Sequence, residues 1–144
     1  MSTFTEKRFL PARTADAAER INLEKTIKDR LSREPDLLFA YIHGSFVTSE
    51  AFRDIDVGLY ARAHKDVSYE AALSYELSQS LGQEVEVKVI NEAPVAFQMA
   101  VLRDGRLLFS VDDDVRTSFI EEVGRRYRTY VHFRNVYMEA LCAK

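Results

Sequence analysis

The chain has 144 residues, of which 47% are apolar and 30% charged, with a net charge of −3. That length suits one domain around one core, and the slight negative balance gives no overall attraction to nucleic acid or to an anionic membrane. The single cysteine, Cys142, excludes an internal disulfide and a thiolate-rich zinc site. No apolar run approaches the ~20 residues that cross a bilayer. The start, MSTFTEKRF, is charged early and has no signal-like apolar stretch, so the cytoplasm is the expected compartment.

Residues 1–14 read as a loose arm containing Pro11. Asp16 followed by Glu19 resembles a capping box, and Ile21, Leu23, Ile27 and Leu31 mark a helical stripe that ends before Pro35. Leu37 to His43 (LLFAYIH) is short, aromatic and β-rich, which predicts a buried strand ended by Gly44-Ser45. Val47 to Arg53 is a connector with room for a short helical turn, and Ile55 to Tyr60 is the next strand. Ser68 is placed to cap a helix that Gly82 closes after Leu81.

Glu84 to Ile90 (EVEVKVI) alternates strictly, as a strand with one charged face does. Pro94 suits the first turn of a helix carrying Val95, Phe97, Met99 and Leu102. Arg106 to Val111 follows the Asp104-Gly105 turn signal as a short strand. A long final helix starts near Asp113 and spaces Val115, Phe119, Val123, Tyr127 and Val131 helically. The resulting order predicts an α+β fold: a small mixed sheet packed with helices and ending in a long C-terminal helix.

Asp54 and Asp56 are two apart on a strand. Both side chains therefore share a face, with roughly 6–7 Å between α-carbons, while Ile55 points to the core. Two carboxylates so placed repel, and a hard divalent cation such as magnesium removes the conflict. The strand EVEVKVI offers Glu84 and Glu86 as a third acid if it lies alongside Ile55–Tyr60. Gly44 permits a tight turn and close backbone approach, and its neighbours' amides and the Ser45 hydroxyl are suited to phosphate oxygens.

Together, HGSF…RDIDVGLY and VEVKVINEAP resemble the minimal nucleotidyltransferases of the polymerase-β-like superfamily over residues 36–110. The connector FVTSEAFR, eight residues long, lacks the glycine and early arginine often seen after Gly-Ser in that family, and Glu86 stands where an aspartate is more usual. The resemblance implies a polymerase-β-like nucleotidyltransferase fold spanning residues 1–144. It implies two magnesium ions, with manganese as a substitute, held by the catalytic residues Asp54, Asp56 and Glu86. It also implies ATP as substrate, with its phosphates on Gly44 and Ser45; Arg53 adjoins the acid pair and is a further phosphate contact. Many small members are antitoxins paired with a HEPN-type ribonuclease toxin, so the expected reaction is transfer of AMP to a tyrosine hydroxyl of that toxin. Two alternatives stay open: a degenerate module that neutralises its partner by contact alone, and transfer to a small molecule such as an aminoglycoside.

Other features take structural readings. His43 is expected as a hydrogen-bonded structural histidine, Lys88 as a partner for Glu86, and Asp112–Asp114 as acids at the positive end of a helix. The run RRYRTYVHFR, Arg125 to Arg134, mixes basic and aromatic residues, as nucleic-acid surfaces do. It is read instead as a helix face suited to an acidic protein partner, and self-association is left open.

Overall fold

The structure, a computed structural model, describes residues 11–143. In chain order its elements are β1 (Arg13–Thr14), α1 (Ala17–Leu31), β2 (Leu37–His43), α2 (Ser45–Thr48), β3 (Ala51–Phe52) and β4 (Ile55–Ala61). They continue with α3 (Val67–Leu81), β5 (Val85–Val89), α4 (Val95–Asp104), β6 (Arg106–Ser110) and α5 (Asp113–Cys142). The main sheet has the order β5-β4-β2-β6; β4 and β5 run parallel, and the other pairs are antiparallel. The α+β architecture with a long last helix is therefore as expected.

Each sheet face carries its own core. On one face, Leu23, Ile27 and Leu31 of α1 and Leu73 and Leu77 of α3 pack on Ile42, Ile55, Val57, Leu59, Val85 and Val87. On the other, Val101 of α4 and Phe119 and Val123 of α5 pack on Phe39, Tyr41 and Ile90. Tyr60 joins this second layer, stacked 4.8 Å from Phe39 and edge-on at 5.0 Å from Phe119. Burying a side chain such as Ile27, which is fully enclosed, contributes about 1.5–3 kcal/mol.

Strand β5 is an edge strand, and α3 covers its outward amides. The N–H groups of Val85, Val87 and Val89 donate to Ser78 Oγ, Ser74 Oγ and Glu70 Oε1. Four helical residues rise about 6.0 Å and two strand residues about 6.6 Å, so every fourth helix position meets every second amide. Three side chains thus satisfy donors that an uncovered edge leaves to solvent or to another chain.

Several local expectations need correction. Residues 1–10 of the supposed loose arm lie outside the described residues. Arg13–Thr14, at its end, form β1, which pairs antiparallel with Ala51–Phe52 of the connector. Ile21 is exposed because it is about 200° around the helix from Leu23, whereas Leu23, Ile27 and Leu31 share one face. Asp16 caps α1 by accepting from the Glu19 amide at 2.8 Å, but the Glu19 carboxylate turns to Arg13 instead of completing the box. Asp66, not Ser68, caps α3; the Ser68 hydroxyl donates to the Asp66 carboxylate, which also accepts the Tyr69 amide. Pro94 stands at the cap position of α4 rather than in its first turn, and β6 ends at Ser110. At the head of α5, Asp112 accepts the Val115 amide, as expected of an acid at a helix start.

Candidate active site

The turn after β2 depends on Gly44. Its φ of +80° and ψ of −164° lie where residues with a Cβ are strongly disfavoured. A Cβ there would also stand 2.3 Å from Asp56 Oδ2, so the absent side chain is the space that the carboxylate uses. The Gly44 carbonyl then accepts from the Val47 and Thr48 amides, which starts α2 at Ser45.

The acids are set by strand register. Asp56 lies opposite His43 of β2 and beside Glu86 of β5. The Ile55 amide donates to the Glu84 carbonyl at 2.9 Å, and Gln83 Nε2 donates to the carbonyls of Arg53 (2.9 Å) and Glu84 (3.3 Å). These bonds fix the start of β4 against the start of β5. Carboxylate oxygens of Asp54, Asp56 and Glu86 consequently lie within 4.8 Å of one another, with the two aspartates half-buried and Glu86 exposed. Three hard oxygen donors at this spacing, open on one side to solvent, fit a divalent cation such as magnesium or manganese.

Alternation places this cluster on the α4/α5 face: Gly58, two residues beyond Asp56, meets Val101 and Ile90, and Tyr60 joins the same layer. His43 packs edge-on against Phe97 with ring centres 5.6 Å apart. Burial holds its pKa below the ordinary histidine value, against the opposing pull of the Glu86 and Asp54 charges. The imidazole is therefore neutral near pH 7. Lys88, expected to pair with Glu86, has its ammonium 5.8 Å from the centre of the Phe97 ring. Arg53 is exposed on a concavity shared with Pro11, Arg13, Ser78 and Gln83, whose lining includes neither the Gly-Ser pair nor the carboxylate cluster.

Arg20 is the main positioning group that sequence reasoning missed. From α1 its guanidinium donates to the carbonyls of Phe46 (2.5 Å), Ser49 (3.3 Å) and Glu50 (2.5 Å), and it lies over the rings of Phe46 and Phe52. It thereby shapes the whole connector between Gly44-Ser45 and the acid pair. No local pattern distinguishes it from any other helix-face arginine. Gln98 was missed as well. It is fully buried, donates to the Ile90 and Asn91 carbonyls, and accepts from Arg126. Asn91 in turn exchanges two hydrogen bonds with the Ala61 backbone, extending the β4–β5 pairing by one residue.

The sequence profile of the family "Polymerase beta, Nucleotidyltransferase" matches residues 25–114. This span holds Gly44, Ser45 and all three acids, and the chain belongs to that nucleotidyltransferase family. Among solved structures, it is similar to a chain of the complex of tri-AMPylated Shewanella oneidensis HEPN toxin with MNT antitoxin. There the identity is 20%, the TM-score 0.69, and the match covers 86% of this chain and 98% of the other. A chain of the MntA-HepT toxin–antitoxin complex matches at 20% identity and TM-score 0.68, over 85% and 98% of the two chains. A chain of a toxin–antitoxin structure with AMP-PNP matches at 22% and 0.71, over 84% and 98%. These likenesses establish a shared fold. No curated protein sequence matches the chain.

Proposed function

We propose that this chain is a single-domain, magnesium-dependent nucleotidyltransferase, the antitoxin of a HEPN-type toxin, and that it transfers AMP from ATP to a tyrosine hydroxyl of that toxin. The observation that carries the reading is the closure of Asp54, Asp56 and Glu86 into one oxygen cluster beside Gly44. Support for the partner and the nucleotide comes from the similar folds, crystallised with an AMPylated HEPN toxin and with AMP-PNP. No helix among the described residues is long and apolar enough to cross a membrane. We place the reaction in the cytoplasm.

In the transfer, the acceptor oxygen bonds to the α-phosphorus, the bond from that phosphorus to the β-phosphate's bridging oxygen breaks, and pyrophosphate leaves. Two divalent ions held by Asp54, Asp56 and Glu86 would supply charge neutralisation and acidify the acceptor hydroxyl. Gly44 lets the phosphates come close to the backbone, and Ser45 offers them its hydroxyl. Alternatively to its metal role, Glu86, the exposed acid of the cluster, would take the acceptor's proton. Arg53 would meet the nucleotide only from its neighbouring concavity.

The test is incubation of the chain with labelled ATP, magnesium and the toxin encoded by the adjacent gene, followed by mass spectrometry of the toxin. The expected result is a gain of one or more adenylyl groups, lost in excess chelator and in the Asp54→Asn/Asp56→Asn variant. Transfer that survives chelation refutes the metal-dependent reading. A stable complex without any mass gain identifies a contact-only module instead.

A further inference from the structure

The register that gathers the acids also gives their surroundings a direction. Asp56 lies between His43 of β2 and Glu86 of β5, so Gly44 is one strand across from it and one residue back along β4. Lys88 pairs with Gly58, one strand across on the other side and two residues forward. With about 4.8 Å between strands and about 3.3 Å per residue, the α-carbon of Lys88 is roughly 8 Å from that of Asp56 and roughly 14 Å from that of Gly44. Two positions on from Glu86, Lys88 shares its sheet face. The Gly-Ser turn and Lys88 therefore stand at opposite corners of the carboxylate cluster.

Lys88 is also available. Its side chain is exposed, and its ammonium lies over the Phe97 ring of α4, which is itself packed edge-on against His43. An exposed cation–π contact is worth about 0.5–1 kcal/mol, so an anionic oxygen draws the ammonium off the ring at small cost. Lys65, by contrast, is committed to Asp36 at 2.6 Å. Lys88 borders a concavity of about 440 Å³ whose wall runs through Asn91 and Pro94 to Arg62, which leaves room beside it for a segment of a bound protein.

Nucleotidyl transfer needs the entering and leaving oxygens in line on opposite sides of the α-phosphorus. With the phosphates on the Gly44-Ser45 turn and the α-phosphorus at the carboxylates, pyrophosphate leaves toward β2. The acceptor then enters from the β5 side, where Glu86 and Lys88 stand.

We propose that Lys88 is the acceptor-side cation: its ammonium donates a hydrogen bond to the acceptor oxygen during attack. The acceptor's proton leaves to the Glu86 carboxylate or to water, the oxygen bonds to the α-phosphorus, and the bond from that phosphorus to the β-phosphate's bridging oxygen breaks. Lys88 keeps its own proton throughout, and its flexible four-carbon stem lets the ammonium follow the oxygen. The acceptor that gains most is a hydroxyl carrying negative charge at attack, and a tyrosine phenol, with an ordinary pKa of about 10, is such a group. The concavity receives the segment that bears it. This inference rests on the nucleotidyltransferase reading.

Two measurements on the full chain test it. Calorimetric titration with the α,β-methylene analogue of ATP, in magnesium, reads donor binding. Single-turnover transfer from ATP at saturating HEPN-type toxin reads the chemistry. Lys88→Met is expected to slow transfer by about a hundredfold while analogue affinity stays unchanged, and Lys88→Arg to recover part of the rate. Lys88 is exposed, so melting curves of both variants should match the parent. A transfer rate indifferent to Lys88→Met overturns the proposal. So does an analogue affinity that falls with the rate, which puts the ammonium on the donor's phosphates, or a rate that more toxin restores, which puts it in docking. A parent chain that neither binds the analogue nor transfers overturns the nucleotidyltransferase reading itself, and this inference with it.

Discussion

The two faces of the sheet are built from the same strands and do different work. The α1/α3 face is a continuous apolar layer, closed at the connector by Phe46 and Phe52, both 1% exposed. The α4/α5 face has an aromatic core around Phe39, Tyr60 and Phe119, while Asp54, Asp56 and Glu86 stand with their oxygens gathered and one side open. Parity along β4 separates the two: Ile55 and Val57 serve the closed face, and Asp56 the other. Apolar packing and the carboxylate cluster are thus segregated by the period of a strand, and a one-residue slip would expose the core and bury the acids together.

The sharpest way to break this contrast is at the acids. Asp54→Asn with Asp56→Asn should lower AMP transfer by more than about a thousandfold while the chain stays folded, because removing charges that repel one another leaves the core intact. Transfer assays and thermal melts on the same sample check both halves of the statement. The mirror experiment is Ile27→Ala in the closed face. It should cost about 3 kcal/mol of stability in denaturant unfolding and leave transfer per folded molecule unchanged.

Arg20→Ala tests the link between the faces, since the guanidinium in the α1 layer holds the connector that ends at the acids. It is expected to cost about 1–2 kcal/mol of stability and also to raise the KM for ATP. A purely structural role would move the melting temperature without moving KM. Arg20→Lys should recover part of the packing but not the several-carbonyl clamp. A smaller effect is expected at the helix cap: Asp16→Ala should cost about 1 kcal/mol without touching KM.

The smallest effect lies in pH. Hydrogen bonds from Ser68 and the Tyr69 amide hold the Asp66 carboxyl below its usual range, and a hydrogen bond from Lys65 does the same for Asp36. Each group favours the folded state once pH exceeds the ordinary carboxylate value, and that contribution is lost as pH falls through the lowered folded value. Stability should therefore drop in acid below about pH 4, and Asp66→Asn should flatten that drop in melts recorded against pH.

Much of the fold was legible because its signals are local. The i, i+4 spacing of Leu23, Ile27 and Leu31, the alternation in EVEVKVI and the glycine after Leu81 each report a backbone geometry from neighbouring residues alone. Ile21 and Ser68 were misplaced for the same reason: an apolar residue near a stripe, or a hydroxyl near a helix start, resembles the true participant until the angle around the helix is counted. The candidate acids were legible as types and spacing. Their meeting rested on one non-local condition, that β5 lies parallel to β4 with Glu86 beside Asp56.

By itself, then, the sequence determined the alternation that divides apolar from acidic side chains, the glycine that admits a carboxylate against the backbone, and the elements in their order. Only the tertiary structure decided which strands became neighbours and that Gln83 fixes their register. It also decided that Arg20, distant in the chain, shapes the connector, and that the second half of α5 is exposed among the described residues. The reason is physical. Periodicity and turn geometry are written in residues a few positions apart, whereas pairing, clamping and exposure depend on groups that meet only once the chain has folded.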